Sequence, residues 1–269
     1  MTKKQYFVNV LLAYNLSKEF TYKTDEYVEI GSVVRIPFRS KKYVGIITEH
    51  LKKPNFQKSK IKQIDAVSNK ILFKSKNLKF LDWVAKYNLI DRGNILKMML
   101  PNSEVFFKEL KKKYEMNDEL NIRAVNLNNE QLEASNYISV KMKDKKYQTV
   151  VIDGVPGSGK TEVYFRVIEK NLGLNTQVLI LFPEVSLTSE FVKRVKNHFG
   201  LDPDVWHSKI SPSQKKITLD RIISGKAKII VGARSALFLP FKKLGLMVID
   251  EEHDGSYKQE EKGIYQARD

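Results

Sequence analysis

The stretch Gly154-Val155-Pro156-Gly157-Ser158-Gly159-Lys160-Thr161 decides the fold of this chain of 269 residues. Two glycines separated by four residues and followed by Lys and Thr form the pattern of a phosphate-binding loop. An apolar run at 149–153 leads into the loop and a helix is predicted over about 161–171, so the motif has the strand–loop–helix setting that it requires. The stretch therefore predicts nucleotide binding rather than a glycine-rich structural turn.

Each part of this loop has a physical task. Its glycines let backbone N–H groups converge on a phosphate, and the start of the following helix adds positive potential. The Lys160 ammonium would reach the β- and γ-phosphates, and the Thr161 hydroxyl would hold Mg²⁺. All residues of 154–161 are candidate nucleotide ligands, and ATP with Mg²⁺ is the expected cofactor.

A second motif predicts ATP hydrolysis. Residues 246–249 form an apolar run, typical of a parallel strand buried on both faces, and Asp250-Glu251-Glu252-His253 follows it directly. Ligands of open α/β sheets bind at the carboxyl ends of strands, where Asp250 would hold Mg²⁺. Glu251 would act as the general base on the attacking water. The alternative is an acidic cluster on a solvated loop.

The composition favours a polyanionic partner. The formal net charge is +16 and the apolar fraction is 42%, enough for a sizeable core. Nucleotides alone do not require such an excess of cations, which most often indicates nucleic acid. The alternative is a lysine-rich solvated surface, since most of the cations are Lys. The chain contains no cysteine, which excludes disulfides and thiolate metal sites within it. No long apolar segment predicts a membrane span, and a cytoplasmic protein is expected.

The first hundred residues predict a small barrel or curled sheet followed by helices. Residues 6–12, 32–38 and 43–48 are rich in β-branched and aromatic side chains, as strands are. Between 75 and 100 apolar residues recur at helical spacing, which predicts two helices broken near 91–93. We predict a domain over residues 1–101.

The remaining chain predicts an α/β domain. Residues 102–125 are charged and read as a linker or a short helix, and a second domain is predicted over 126–269. There, strands alternate with helices, which implies a doubly wound parallel sheet. The strands are expected at 149–153, 177–182, 228–231 and 246–250, and the helices at about 130–141, 161–171, 187–199 and 212–224.

These motifs together resemble a known family. The second half resembles the first motor lobe (RecA-like) of superfamily 2 DNA helicases, and more narrowly of the PriA family (primosomal protein N′) of replication-restart helicases. The resemblance is carried by the runs 154–164, 182–188, 232–241, 250–259 and 265–269. The first hundred residues resemble that family's domain for the 3′ end of a DNA strand through Phe20-Thr21-Tyr22, 31–38 and 44–46.

The resemblance implies roles for further residues. Gln131 corresponds to a glutamine that reads adenine, although it could also be an exposed polar residue at a helix start. DNA contacts are implied for Thr21, Tyr22, Arg39, Thr188, Arg234, Tyr257, Lys258 and Tyr265. Tyr257 and Tyr265 fall in an aromatic-rich loop whose rings would stack on unpaired bases of any sequence. Expected partners are single-stranded and forked DNA, 3′ ends, single-strand-binding protein and primosome loaders.

The chain also departs from the family pattern. It stops at Asp269, before the second motor lobe, whose arginine finger contributes about 10³–10⁵ in rate in comparable enzymes, and before the zinc-binding cysteines. Zinc is expected only in that missing part. Residues 102–125 are too few for the usual winged helix, and Thr21 and Arg39 replace the family's usual Asp and Gly.

We therefore expect the chain alone to bind ATP weakly, hydrolyse it very slowly and unwind nothing. The alternatives are a non-catalytic DNA-binding remnant and another nucleic-acid-dependent ATPase.

Overall fold

A five-stranded antiparallel sheet forms the first domain. The computed structural model describes residues 4–54, 57–100, 104–108, 115–144, 146–183, 189–259 and 265–267. The strands are β1 (Tyr6–Leu12), β2 (Phe20–Thr24), β3 (Ser32–Phe38), β4 (Lys41–Leu51) and β5 (Ala66–Leu72), in the spatial order β2-β1-β4-β3-β5. The register of β1 on β4 shifts between Asn9 and Val10, and such a bulge bends the strand.

Both faces of this sheet carry buried apolar clusters. Side chains alternate along each strand, so neighbouring apolar residues point to opposite faces. On β3, Val34 and Ile36 join one buried cluster, whereas Val33 joins another on the opposite face. Two helices cover the second face, α1 (Ser75–Tyr87) and α2 (Arg92–Met99), through buried residues such as Leu81 and Leu96. The predicted pair of helices is thus present.

The second domain is built on a parallel sheet, as predicted. Its strands are β6 (Gln177–Leu181), β7 (Asp204–Trp206), β8 (Ile229–Gly232) and β9 (Leu244–Ile249), in the spatial order β7-β8-β6-β9. Its helices are α3 (Asn129–Lys141), α4 (Lys160–Leu172), α5 (Ser189–Phe199) and α6 (Pro212–Ser224). Alternate residues of β6 enter opposite clusters, so the α/β class expected from the sequence is confirmed.

One strand prediction was wrong. Residues 149–153 pair with no strand of the described structure, and Val151 is 79% exposed. Only Ile152 packs inward, against the clusters that contain Val248 and Val163. An apolar run becomes a strand only where a neighbouring strand satisfies its backbone N–H and C=O groups, and this run has none. The sequence analysis did not predict the short strand β7. This strand forms one edge of the parallel sheet, and β9 forms the opposite edge.

The two domains share one apolar cluster. It joins Leu11 and Phe73 of the first domain to Leu179, Trp206 and Phe238 of the second. Helix α2 packs on the 3-10 turn Arg234–Phe238, and α6 packs on β5. Within the described ranges, no helix is both long and apolar enough to cross a membrane.

Part of the charged region between the domains is fastened to the second domain. The Asn121 and Arg123 N–H groups donate to the carbonyls of Phe199 and His198, at 2.9 and 2.7 Å. The Arg221 guanidinium on α6 binds both Asp118 and the buried carboxylate of Asp204. Residues 115–123 therefore follow the surface of the second domain instead of extending into solvent.

Candidate nucleotide-binding site

The phosphate loop depends on glycines at two positions. Gly157 and Gly159 adopt φ angles of +80° and +83°, in the left-handed region that costs other residues about 1–2 kcal/mol. A Cβ on Gly159 would lie 2.2 Å from Gln131 Nε2, whereas one on Gly157 would meet nothing within 4 Å. Gly159 is the N-cap of α4, which begins at Lys160. The loop thus leads directly into a helix N-terminus.

The loop is held by groups of the chain itself. Lys160 Nζ donates to the carbonyl oxygens of Gly154 at 2.6 Å and Val155 at 3.3 Å. Gln131 Nε2 donates to Ser158 O at 2.9 Å, and its Oε1 accepts from Asn128 N at 3.0 Å. The Gln131 side chain therefore braces the loop from the start of α3. Its adenine contact stays a prediction.

Asp250 lies at the carboxyl end of β9, at the position predicted for a metal ligand. Its backbone N–H donates to Leu181 O at 3.0 Å, which fixes it beside the end of β6. Tyr164 OH donates to its Oδ2 at 2.8 Å, and the Glu251 N–H donates to its Oδ1 at 2.9 Å. Both carboxylate oxygens therefore have a defined partner.

Tyr164 connects the acidic motif to the phosphate loop. It lies one helical turn after Lys160 on α4, and the Thr161 hydroxyl lies beside its phenol. Burial raises the pKa of Tyr164, and the nearby Asp250 charge raises it further, so the phenol stays a hydrogen-bond donor at neutral pH. Thr161, Tyr164 and Asp250 form one contiguous polar row.

Glu251 adopts an unusual backbone conformation. Its φ is +52°, and non-glycine residues held in this region cluster at functional sites. Its half-exposed side chain lies 3.4 Å from His253 Nε2, measured from Oε2. The carboxylate is thus at the surface, next to an imidazole.

The residues present fit ATP with Mg²⁺. Gly157 leaves open space where a side chain would otherwise stand, as close approach of a phosphate requires. The Thr161 hydroxyl and the Asp250 carboxylate supply the hard oxygen ligands that Mg²⁺ prefers, and Tyr164 brings them together. The donor set of the loop and of the strand end therefore suits a nucleotide–metal complex.

Two predicted base-stacking tyrosines are buried. Tyr257 OH donates to the carbonyls of Asp250 and Leu181, at 2.6 and 2.9 Å, and the ring belongs to the shared core cluster. Tyr265 is buried beside Phe238, with ring centroids 4.9 Å apart. A ring enclosed by protein cannot stack on a base, so this arrangement contradicts the predicted stacking. The two tyrosines instead fasten the segment after the acidic motif to the sheet.

The other predicted DNA contacts of this domain differ in position. Arg234 donates to the carbonyls of Ser256 and Lys258, at 2.8 and 2.6 Å, so its guanidinium also braces this segment. The Lys258 side chain is exposed, on the two-residue strand β10 (Lys258–Gln259) that pairs with β11 (Tyr265–Gln266). Thr188 lies outside the described residues.

The first domain contains three predicted DNA-contacting residues, Thr21, Tyr22 and Arg39, and their surroundings differ. Thr21 Oγ1 donates to Asn9 Oδ1 at 3.0 Å, and Asn9 Nδ2 donates to Glu49 Oε2 at 3.0 Å. Tyr22 is buried and donates to Pro37 O at 3.1 Å, so its ring is not exposed for the predicted DNA contact. Arg39 is exposed, with a φ of +53° and its guanidinium 5.6 Å from the Phe38 ring centroid.

The sequence analysis gave no role to Tyr164 or Asn9. Tyr164 could have been found from its spacing, because residues four apart on a helix lie on one face and Lys160 is already placed. Asn9 shows no such signal, since its partners Thr21 and Glu49 are brought together only by strand pairing.

Both domains of the chain match models of known protein families. Residues 128–268 match the DEAD/DEAH box helicase model, and residues 9–101 match the 3′DNA-binding domain (3′BD) model of PriA. The replication restart protein PriA of Rickettsia felis is 39% identical over 244 residues, which cover 90% of this chain and 36% of the relative. PriA of Helicobacter pylori (strain 26695) is 32% identical over 95% of this chain and 38% of its own length.

A third relative has a higher identity over a shorter stretch. PriA of Chlamydia trachomatis (serovar D) is 46% identical over 144 residues, which cover 53% of this chain and 19% of that protein. The chain spans little more than a third of the length of the Rickettsia and Helicobacter relatives. With both domain models matched in order, the chain belongs to the PriA family of DEAD/DEAH box helicases.

Proposed function

We propose that the chain binds DNA and ATP with Mg²⁺, as part of an ATP-dependent helicase that restarts replication at stalled forks. The observation that carries this proposal is the polar row from the phosphate loop through Tyr164 to Asp250, next to a domain that matches a 3′DNA-binding module. The relatives are named for replication restart, and that role is extended here to this chain.

In the nucleotide site, each residue has a proposed task. The Lys160 ammonium leaves the carbonyls of Gly154 and Val155 and pairs with phosphate oxygens. Thr161 and Asp250 would hold Mg²⁺, which would supply positive charge next to the phosphates. The Glu251 carboxylate accepts a proton from the attacking water. In motors of this kind a second lobe would supply an arginine finger to the same nucleotide.

DNA is the proposed partner of the exposed basic surface. A net charge of +16 suits the phosphate backbone, and such contacts position a strand without reading its sequence. Arg39 and Lys258 keep exposed cationic side chains, and Thr21 offers a hydroxyl near the strand edge. Single-strand-binding protein and primosome loaders are proposed as partners of the whole protein.

A second candidate is DNA binding without ATP turnover. It is favoured by the position of Lys160, whose ammonium is already bound to its own loop, and by the run 149–153, which does not join the sheet. A phosphate loop that follows a segment outside the sheet is less firmly positioned than one that follows a paired strand.

The test is ATP hydrolysis by the chain with and without forked DNA, beside Lys160→Ala and Glu251→Gln. DNA-stimulated turnover that both substitutions abolish would support the helicase-type ATPase. Absent turnover, with salt-sensitive DNA binding that neither substitution alters, would support the second candidate. If the chain neither hydrolyses ATP nor binds DNA, both candidate functions are contradicted.

A further inference from the structure

The turn between β3 and β4 holds an arginine in a backbone conformation that favours glycine. Phe38 pairs with Lys41, so Arg39 and Ser40 form a two-residue turn. Turns of this length usually carry Gly, Asn or Asp, because their central residues adopt positive φ angles. Arg39 has a φ of +53°, a conformation that only glycine adopts without steric cost. A strained residue at an exposed turn points to a role for its side chain.

The Arg39 guanidinium lies over an aromatic ring. Its Cζ atom is 5.6 Å from the centroid of the Phe38 ring. That ring is held in turn by Phe20, at 4.7 Å between centroids, and by Tyr43, at 5.9 Å. All three rings are half-buried and pack against an apolar cluster of the first domain. The arginine side chain is therefore exposed but rests on a fixed support.

The donor groups of Arg39 are left for a ligand. A guanidinium that stacks through its face keeps its N–H groups in the plane, where they can bind an oxyanion with two parallel hydrogen bonds. Among the residues that the structure describes, no acceptor bonds to these groups. Two carboxylates beside this hairpin bind other cations: Asp65 pairs with Lys42, at 2.9 Å, and with Arg35. Glu104 also pairs with Arg35. Arg39 is thus placed to bind an anion from outside the chain.

We propose that Arg39 binds the terminal phosphate of a DNA strand that ends in a 3′-phosphate. A phosphate monoester carries about −1.5 to −2 charge at pH 7 and three strong acceptor oxygens, whereas each phosphodiester within the strand carries a single negative charge. A guanidinium therefore attracts the terminal monoester more strongly. The match to the 3′DNA-binding model makes the 3′ end the relevant one. The inference rests on the proposed DNA binding and adds to it the chemistry of the strand end.

Two oligonucleotides of equal charge test the role of the strand end. Both are oligo-dT strands with a fluorophore on an internal base. One carries a phosphate at its 3′ end and a hydroxyl at its 5′ end, and the other has these groups exchanged. General attraction to a basic surface acts equally on both strands, because their net charges are the same. Fluorescence anisotropy should show that the wild-type chain binds the 3′-phosphorylated strand about 3- to 10-fold more tightly.

Substitutions assign the preference to one side chain. Arg39→Gly should bind the two strands equally, and its midpoint of urea unfolding should be no lower than that of wild type, because glycine adopts the positive φ without strain. Arg39→Lys keeps the charge but not the planar donor fork, so it should retain only part of the preference. The matched control is Lys41→Ala, which removes one exposed positive charge from the same hairpin. It should weaken binding of both strands to the same extent and keep the preference.

The outcomes separate this inference from the proposed function. A preference for the 3′-phosphorylated strand that Arg39→Gly abolishes and Lys41→Ala keeps supports the role of Arg39. Wild-type affinity that is equal for the two strands, or higher for the 5′-phosphorylated one, overturns that role and leaves the proposed DNA binding intact. A preference that survives in Arg39→Gly, or that both variants lose equally, also overturns it. A wild-type chain that binds neither strand overturns both the proposed DNA binding and the role of Arg39.

Discussion

Tyr164 donates its phenolic hydrogen to Asp250 Oδ2 at 2.8 Å, across 86 residues of chain. This one contact joins the helix that begins with the phosphate-loop lysine to the end of the strand that carries the acidic motif. A carboxylate at a strand end is free to rotate unless a partner orients it. Tyr164, with the N–H of Glu251 on the other oxygen, supplies that orientation.

Tyr164→Phe keeps the ring in the core and removes only this hydrogen bond. Since hydrogen bonds to charged groups contribute about 1.5–3 kcal/mol, we expect unfolding in urea to show a loss of about 1–2 kcal/mol. Titrations with a fluorescent ATP analogue should show less enhancement by Mg²⁺ over EDTA. Tyr137→Phe, at an exposed position, is the control. An unchanged dependence on Mg²⁺ would rule out Tyr164 as the group that orients Asp250.

A comparison of Gly157→Ala with Gly159→Ala separates the cost of positive-φ strain from the contribution of the hydrogen bond between Gln131 and Ser158. Both place a Cβ at positive φ, but only the second displaces the Gln131 amide from Ser158 O. We expect Gly159→Ala to cost about 1 kcal/mol more in urea unfolding, the value of one hydrogen bond. In a Gln131→Ala background the two substitutions should cost the same. A difference that persists in that background would contradict the bracing role of Gln131.

Val151 and Ile152 test the corrected account of the run before the phosphate loop. Val151→Asn should change stability by less than about 0.5 kcal/mol because the side chain is exposed. Ile152→Asn should lower the free energy of unfolding by about 1–2 kcal/mol, because it removes an apolar side chain that packs against two buried clusters. Urea unfolding measures both values. Equal and large losses would mean that the run is a buried strand after all.

Asp202 should make stability depend on pH. Its ion pair with Lys196 and the N–H of Asn117 lower the pKa of its carboxyl below the ordinary value. The unfolded chain then binds the proton more readily, so the stabilisation is complete above the unfolded pKa of about 3.9 and disappears as pH falls through the lower folded value.

Asp202→Asn should therefore be less stable than wild type by about 0.5–1 kcal/mol at pH 7, and the two should converge in acid once the pH is below the folded pKa of Asp202. Lys196→Gln should reproduce most of the loss at pH 7. Thermal unfolding across this range provides the measurement. A wild-type advantage that is constant with pH would show that the carboxylate charge of Asp202 does not stabilise the fold.

Local sequence pattern was sufficient for most elements. The helices α3, α4 and α6 and the strands β6 and β9 lie within a few residues of their predicted bounds, because each has a complete periodic pattern and a clear start or stop signal. The Asn128 and Ser211 caps, for example, mark where α3 and α6 begin. Such signals act between residues close in the chain and need no tertiary context.

The candidate site was predicted only in part. The loop 154–161 and Asp250 follow from spacing, since their chemistry requires those residue types in that order. The burial of Tyr22, Tyr257 and Tyr265 could not be predicted, because a tyrosine with its apolar ring and polar hydroxyl is found both in cores and at surfaces. Contacts far away in sequence decide between the two, such as the Pro37 carbonyl that accepts from Tyr22, the Leu181 carbonyl that accepts from Tyr257, and the Phe238 ring beside Tyr265.

By itself, then, the sequence determined the α/β class, the phosphate loop and the acidic strand end, because these depend on local periodicity and fixed spacing. Only the tertiary structure decided that the run 149–153 stays outside the sheet, that Tyr164 meets Asp250, and that Tyr257 is buried. Those outcomes depend on which surfaces meet when the two domains pack. Contacts between residues far apart in the chain are set by the whole fold, not by any one stretch of it.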